Sequence, residues 1–141
     1  MTKNILISII GVIGSAIASA FGGWSAAMTT LVIFMAIDYL TGLITAGVFH
    51  KSTKTDSGTL ESRAGFKGLC RKGAMLLIVL VACRLDLTLS TTYIKDAVII
   101  AFIANETISI IENAGLMGVP MNDTLKNAID VLQKKSHNIV K

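Results

Sequence analysis

Four apolar stretches, separated by short polar or basic segments, dominate the hydrophobic pattern of this chain. They cover about residues 5–23, 24–49, 73–93 and 97–118. A helix needs about 20 mainly apolar residues to cross a hydrocarbon core that is about 30 Å thick. The first two stretches meet that length outright, whereas the last two meet it only by including charged residues. The pattern therefore predicts an all-α integral membrane protein with four transmembrane helices.

The first stretch also fits a cleavable signal peptide, which would leave three spans. Lys3 gives it a basic start, an apolar run continues to Ile17, and residues 18–20 match a small-residue cleavage signature. Three further apolar stretches follow, which argues against cleavage. Four spans are the prediction, and three spans are the alternative.

The composition agrees with a membrane protein. Apolar residues make up 52% of the chain, and charged residues make up 16%. A soluble domain has about 25% charged residues and polar faces along its surface helices, and no such faces separate these stretches. Residues 1–141 are therefore predicted to form a single membrane domain.

Positive charge is concentrated in the loop predicted over residues 50–72. This loop carries two acidic residues and six basic ones: Lys51, Lys54, Arg63, Lys67, Arg71 and Lys72. Short loops rich in Lys and Arg stay in the cytoplasm. Lys3 and the lysines of the tail over 119–141 agree with that side. Both termini and the central loop are predicted to be cytoplasmic, and the tail is predicted to contain a short helix.

Four of these cations, at the end of the loop, are predicted to set topology and to contact anionic lipid headgroups. They are Arg63, Lys67, Arg71 and Lys72, and the first three fall on one face of a short helix. A solvated loop that only sets topology is the alternative. The loop lacks the interleaved aromatic residues of nucleic-acid-binding segments, so no nucleic-acid partner is predicted.

Small residues mark candidate helix-packing faces. Gly11, Ser15, Ser19 and Gly23 recur every fourth residue in the first span, and Gly42 follows Asp38 by one turn in the second. Helix association in lipid depends on close backbone approach and interhelical hydrogen bonds, which such residues permit. The sequence leaves open whether these faces meet another span or another subunit. Gly and Ala are also simply common in membrane helices.

Polar residues inside the last three spans are the candidate functional residues. The predicted buried or pore-lining set is Asp38, Arg84, Asn105, Glu106, Ser109, Glu112 and Asn113. An Asp at mid-helix costs about 2.5–3.5 kcal/mol on insertion scales, so such residues face a partner or water and not lipid. Asp38, Arg84 and Glu106 fall at similar depths. They are expected either to pair or to surround water when subunits assemble.

Three local patterns carry a family resemblance. The first is Ile37 to Gly42, which reads Ile-Asp-Tyr-Leu-Thr-Gly, and the second is Ser-x-x-Gly-x-x-Gly-x-x-Arg-Lys over residues 62–72. The third is the polar stripe over 105–113, followed by Gly-Val-Pro over 118–120. Together they resemble the toxin-secretion/phage-lysis holin family of Gram-positive bacteria and their phages, over about residues 30–135. The family often has a second proline two residues after the equivalent of Pro120, where this chain has Asn122.

The resemblance implies a protein that accumulates and oligomerises in the bacterial cytoplasmic membrane. It implies a pore or lesion that opens at a programmed time and releases an endolysin or a large toxin. A small four-span proton-coupled transporter and an antiholin-like regulator are the alternatives. An enzyme is not expected, since no nucleophile–base or metal-ligand arrangement is visible, and no cofactor is predicted.

Overall fold

The computed structural model describes residues 1–140, which form five helices and no strand. The helices are α1 (Thr2–Ala20), α2 (Ala26–Gly47), α3 (Ser62–Leu89), α4 (Ile94–Leu116) and α5 (Asp123–Val140). The predicted all-α class is confirmed. Two of these helices, α1 and α2, are long and apolar enough to cross a membrane.

Helices α2, α3 and α4 pack around a small apolar core. Its buried side chains are Met28, Leu31, Met35, Val79 and Ile99. Helix α4 packs extensively against both α2 and α3, whereas α2 and α3 touch each other little. The outer surface of this bundle is also apolar: Leu40 on α2 is 57% exposed and Leu77 on α3 is 64% exposed. Such a surface suits contact with lipid or with another protein.

Helix α1 is attached to the bundle mainly at its C-terminal end. None of its residues is buried within the described chain. Beyond its last turn, the Lys95 ammonium donates to the carbonyl of Phe21, and also to that of Gly23 at 3.4 Å. The Cys83 thiol lies 3.8 Å from the carbonyl oxygen of Ala20. The apolar sides of α1 are therefore free to contact lipid or a second copy of the chain.

Helix α3 begins inside the region predicted as loop. The short helix expected over Arg63, Lys67 and Arg71 is the first part of α3 and continues into the third apolar stretch, so the irregular connection after α2 ends at Glu61. Tyr39 of α2 packs against this segment beside two of its glycines. The Tyr39 hydroxyl donates to the carbonyl of Gly65 at 3.4 Å, and a Cβ on Gly68 would lie 3.9 Å from the Tyr39 ring. The 28 residues of α3 give a length of about 42 Å, more than a hydrocarbon core requires.

A carboxylate fixes the turn between α3 and α4. Asp86 accepts hydrogen bonds from the Thr91 hydroxyl at 2.5 Å, from the Ile94 amide at 3.0 Å and from the Lys95 amide at 2.8 Å. Two of these donors are backbone N–H groups at the start of α4, which have no partner inside that helix. Helix α3 therefore ends at Leu89 and α4 begins at Ile94. The predicted spans placed these boundaries at residues 93 and 97.

Helix α4 ends just before the Gly-Val-Pro segment over residues 118–120. The helix ends at Leu116, and Gly118 adopts a left-handed conformation with φ of 89° just before Pro120. Helix α5 then packs against α4, with Leu125, Ile129 and Leu132 half-buried. The predicted tail helix is present.

Candidate functional site

Three charged side chains, one from each bundle helix, meet between the helices. Lys72 Nζ on α3 lies 2.6 Å from Asp38 Oδ2 on α2 and 2.5 Å from Glu106 Oε2 on α4. The side chains of Lys72, Asp38 and Glu106 are 13%, 6% and 3% exposed. We call these three residues the charge cluster. Its low exposure means that the ammonium replaces water as the partner of both carboxylates.

The helical geometry explains why this lysine reaches both acids. Because α3 begins at Ser62, Lys72 is already part of a regular helix that faces α2 and α4. Helix α4 packs against both neighbours, so Glu106 points into the same space as Asp38. The four-carbon stem of lysine carries its charge away from the backbone, and its ammonium has three donors.

An amide completes the polar contacts of Asp38. Asn113 Nδ2 on α4 donates to Asp38 Oδ1 at 3.2 Å, to the Asp38 carbonyl at 3.3 Å and to Thr41 Oγ1 at 3.0 Å. A Cβ on Gly42 would lie 3.7 Å from this nitrogen, an ordinary van der Waals distance, so the amide lies directly against α2. Among the described residues, every buried side-chain polar atom has a hydrogen-bond partner.

A cavity of about 220 Å³ opens beside the charge cluster. Lys72, Asp38 and Glu106 form part of its wall. Lys54, from the connection between α2 and α3, enters the same space: its Nζ lies 3.9 Å from a Cβ built on Gly42. The cavity therefore extends from the charge cluster to the segment that joins α2 and α3.

The predicted polar set divides into two groups. Asp38, Glu106 and Asn113 are buried together, and Ser109 and Asn105 line the cavity beside them. Arg84 and Glu112 are exposed, and neither forms an ion pair within residues 1–140. Arg84 is therefore not the cation that neutralises the acids in a single chain.

Lys72 takes the role that Arg84 was expected to fill. The sequence grouped Lys72 with the headgroup cations, whereas the structure buries it between two carboxylates. Arg63, Lys67 and Arg71 of the same group are exposed. The signal that would have separated Lys72 is its position directly before the apolar run 73–83, which places it deepest of the four along a continuous helix.

The small-residue face of α1 is not buried within the described residues 1–140. A Cβ added at Gly11 or Gly23 would meet nothing within 4 Å, and Ser15 and Ser19 are exposed. Gly42 differs, because Asn113 packs directly over it.

Asp86 and Lys95 make structural contacts that the sequence pattern does not predict. Asp86 binds the first amides of α4, and Lys95 binds the carbonyls that follow α1. The Asp86 contacts cross the turn between two helices, and the Lys95 contact joins residues 74 positions apart, so spacing along a single helix did not reveal them. Within the described residues, no group of three His, Cys, Asp or Glu side chains has an arrangement that could hold a metal ion.

The segment that carries the charge cluster matches a known protein family. The family model described as the bacteriophage holin family matches residues 15–134, which include the whole charge cluster. The chain belongs to the bacteriophage holin family. The predicted resemblance is confirmed, and a holin-type role follows from it.

Relatives of similar length support the same assignment. An uncharacterized protein of Listeria innocua is 38% identical over 124 residues, covering 87% of this chain and 83% of that protein. An uncharacterized 14.9 kDa protein of Clostridium perfringens is 37% identical, covering 87% of this chain and 89% of that protein. A probable holin of Bacillus phage phi105 is 29% identical over 104 residues, covering 73% of this chain and 71% of that protein. No solved structure matches this chain.

Proposed function

We propose that this protein is a pore-forming holin of the bacterial cytoplasmic membrane. Copies accumulate in a closed state in which the charge cluster is internally paired. At sufficient density they assemble and open a water-filled lesion, through which an endolysin or a large toxin leaves the cytoplasm. The observation that carries this proposal is the pairing of Asp38, Lys72 and Glu106 inside a chain of the bacteriophage holin family.

The charge cluster is suited to a two-state protein. Charged side chains in a bilayer are tolerated when they pair with one another or face water. In the closed bundle they pair. If the helices separate, the same residues remain stable only beside water, so separation favours a hydrated lumen.

Exposed polar groups on the bundle support assembly of several copies. Arg84, Asn105 and Glu112 lie on outward faces of a single chain, although they are flanked by apolar residues such as Leu85 and Ile111. Lipid contact with these groups would be costly. A second copy or a shared lumen would cover them, and the open face of α1 supplies an apolar surface for the contact.

The proposed topology has four spans, formed by α1, α2 and the apolar parts of α3 and α4. The cations of the α2–α3 connection and of the tail support a cytoplasmic location for both segments. Arg63, Lys67 and Arg71 then lie at the cytoplasmic headgroup level, where each cation gains about 1 kcal/mol from anionic lipid.

The test combines lysis timing with dye release. The protein is expressed with and without a cytoplasmic cell-wall hydrolase, and purified protein is added to vesicles holding dyes of graded size. We expect abrupt lysis only with the hydrolase, and release of large dyes above a threshold protein density. Accumulation without lysis or dye release would instead favour an antiholin-like regulator.

A proton-coupled transporter is the second candidate, because two buried carboxylates line a cavity between the helices. A transporter would move a small solute with a proton gradient and retain every large dye. Release of large dyes from vesicles excludes that alternative.

A further inference from the structure

The connection between α2 and α3 is an ordered structure held by its own hydrogen bonds. We call residues 50–61 the strap. The Lys51 amide donates to the Thr45 carbonyl at 3.0 Å, and the Ser52 amide donates to the Gly58 carbonyl at 3.0 Å. The Thr55 hydroxyl donates to the Thr59 carbonyl at 2.8 Å. These bonds give the strap one defined shape.

A single glycine is required for that shape. Gly58 has φ of 74°, in the left-handed region that disfavours residues with a side chain. A Cβ at this position would lie 2.5 Å from the carbonyl oxygen of His50, a backbone atom that cannot easily move away. Substitution of Gly58 therefore disrupts the strap without touching any helix.

The strap forms part of the cavity wall beside α2 and α3, two helices that have few direct contacts with each other. Leu60 rests on α2, with its Cδ2 3.6 Å from a Cβ built on Gly47. Ser52, Lys54 and Thr55 line the cavity together with the charge cluster. The strap therefore lies beside the gap between the two helices and forms one wall of the cavity next to the charge cluster.

Lys54 adds a charge that the cluster lacks. With all groups ionised, the cluster contains two carboxylates and one ammonium, a net charge of −1. Lys54 Nζ approaches the same face of α2, near Gly42 and Asp38. The charged residues that line the cavity then balance, with three cations and three acids: Lys54, Arg71, Lys72, Asp38, Glu61 and Glu106. Because the cavity wall has no net charge, it does not favour an anionic or a cationic ligand. Its cations instead neutralise the buried acids.

We propose that the strap is a lid that closes the charge cluster, and that Lys54 is the positioning residue that holds it closed. Release of the strap removes the balancing charge and admits water to Asp38 and Glu106. This inference rests on the proposed pore function, in which water entry at the cluster begins the transition from the closed to the open state.

The experiment measures access to the cavity directly. A Ser109→Cys variant is made in a background with Cys70→Ser and Cys83→Ala, so that the only thiol lies in the cavity wall. The detergent-purified protein is treated with N-ethylmaleimide, and the alkylation rate is compared with and without strap substitutions. Because local opening controls access, we expect Gly58→Ala and Lys54→Gln each to raise the rate at least about threefold.

Gly118→Ala is the matched control. Gly118 also has a positive φ, 89°, but it lies between α4 and α5 and outside the cavity lining. This variant should leave the alkylation rate at position 109 unchanged. Lys54→Gln keeps the test valid if Gly58→Ala does not fold, because Lys54 is exposed and its loss removes only the charge.

If both strap variants are alkylated at the parent rate, the strap is not a lid. If the rate rises in Gly58→Ala but not in Lys54→Gln, Lys54 does not hold the strap closed. Neither result depends on pore formation. Dye release from vesicles is measured on the same preparations without the added thiol. If the strap variants are alkylated faster but the parent releases no dye, the pore function is rejected and the lid is retained. If the parent releases dye but the strap variants are alkylated at the parent rate, only the lid is rejected.

Discussion

Lys72 on α3 and Asp38 on α2 are 34 residues apart in sequence, yet their side chains meet at 2.6 Å. The same ammonium binds Glu106 on α4, so one cation holds three helices together. Helices α2 and α3 have few other contacts. This pair therefore contributes much of the specific connection between them. Removing the shared cation should affect the bundle more than removing either acid.

We predict that Lys72→Gln destabilises the closed bundle. The substitution leaves two buried carboxylates without their cation, and breaking a buried ion pair from one side costs about 3–5 kcal/mol. The expected result is a lower melting temperature in detergent and less protein in the membrane fraction. Lys67→Gln is the matched control, since Lys67 lies on the same helix but is exposed.

We predict that neutralising all three residues of the charge cluster restores much of the thermal stability lost in Lys72→Gln. Asp38→Asn and Glu106→Gln, combined with Lys72→Gln, replace all three charges by neutral groups of similar shape. Thermal stability should recover much of the loss, because no unpaired charge remains. If Lys72→Gln alone melts at the temperature of the parent, the cluster does not hold the bundle.

We predict that Glu106→Gln delays lysis. This change leaves Lys72 and Asp38 as a one-to-one pair, which is neutral without further help from Lys54. The closed state should be favoured, and a gain of about 1.4 kcal/mol would lower the open population about tenfold. Lysis onset is timed by culture density with a co-expressed endolysin, and membrane accumulation is checked by immunoblot.

Asp96→Asn is the comparison for this variant. Asp96 lies on the same helix, is exposed and is outside the cavity lining, so it does not contribute to closing the cluster. Equal lysis times for Glu106→Gln and the parent, at equal protein level, would show that the cluster has no role in timing.

Most of the helical architecture could be predicted from apolar periodicity and from stop signals such as Gly118 and Pro120. The exception was the start of α3. A short helix was expected at the end of the loop, but its continuity with the third apolar stretch was not. The Tyr39 hydroxyl of the neighbouring helix donates to the Gly65 carbonyl, so a contact between helices supports a segment whose glycines are poor helix formers.

The acids of the site could be predicted because their cost in lipid is evident from sequence alone. Asp38, Glu106 and Asn113 are indeed brought together. Their cation could not be identified, because Arg84 and Lys72 both border apolar stretches and only the packing of α3 decides between them. The spacing of residues along one helix does not predict which side chains of three packed helices come into contact.

We predict that Asp86→Ala loosens the first turn of α4. The substitution removes the acceptor of the Ile94 and Lys95 amides, and the loss of such a cap destabilises a helix terminus. Hydrogen exchange at residues 94 and 95 should accelerate, and the melting temperature should fall by a few degrees. Asp96→Ala tests the alternative of a general charge effect, since Asp96 is acidic, exposed and in the same turn. Similar exchange rates in both variants would rule out capping by Asp86.

The last prediction concerns the attachment of α1. Lys95 binds the carbonyls of Phe21 and Gly23, and Cys83 is buried beneath the adjoining turn. A Cβ on Gly22 would lie 3.0 Å from the Cys83 sulfur, so this turn shields the thiol. In a Cys70→Ser background, Lys95→Gln should therefore speed alkylation of Cys83 severalfold, because α1 separates more often.

Lys3→Gln is the control for this change, because Lys3 lies at the opposite end of α1 and is exposed. Its substitution alters the charge of the same helix but not its attachment, and the Cys83 alkylation rate should match that of the parent. If Lys95→Gln also matches the parent, α1 is held by contacts other than the lysine. In that case the free apolar face of α1 would remain available for assembly, but its release would not depend on Lys95.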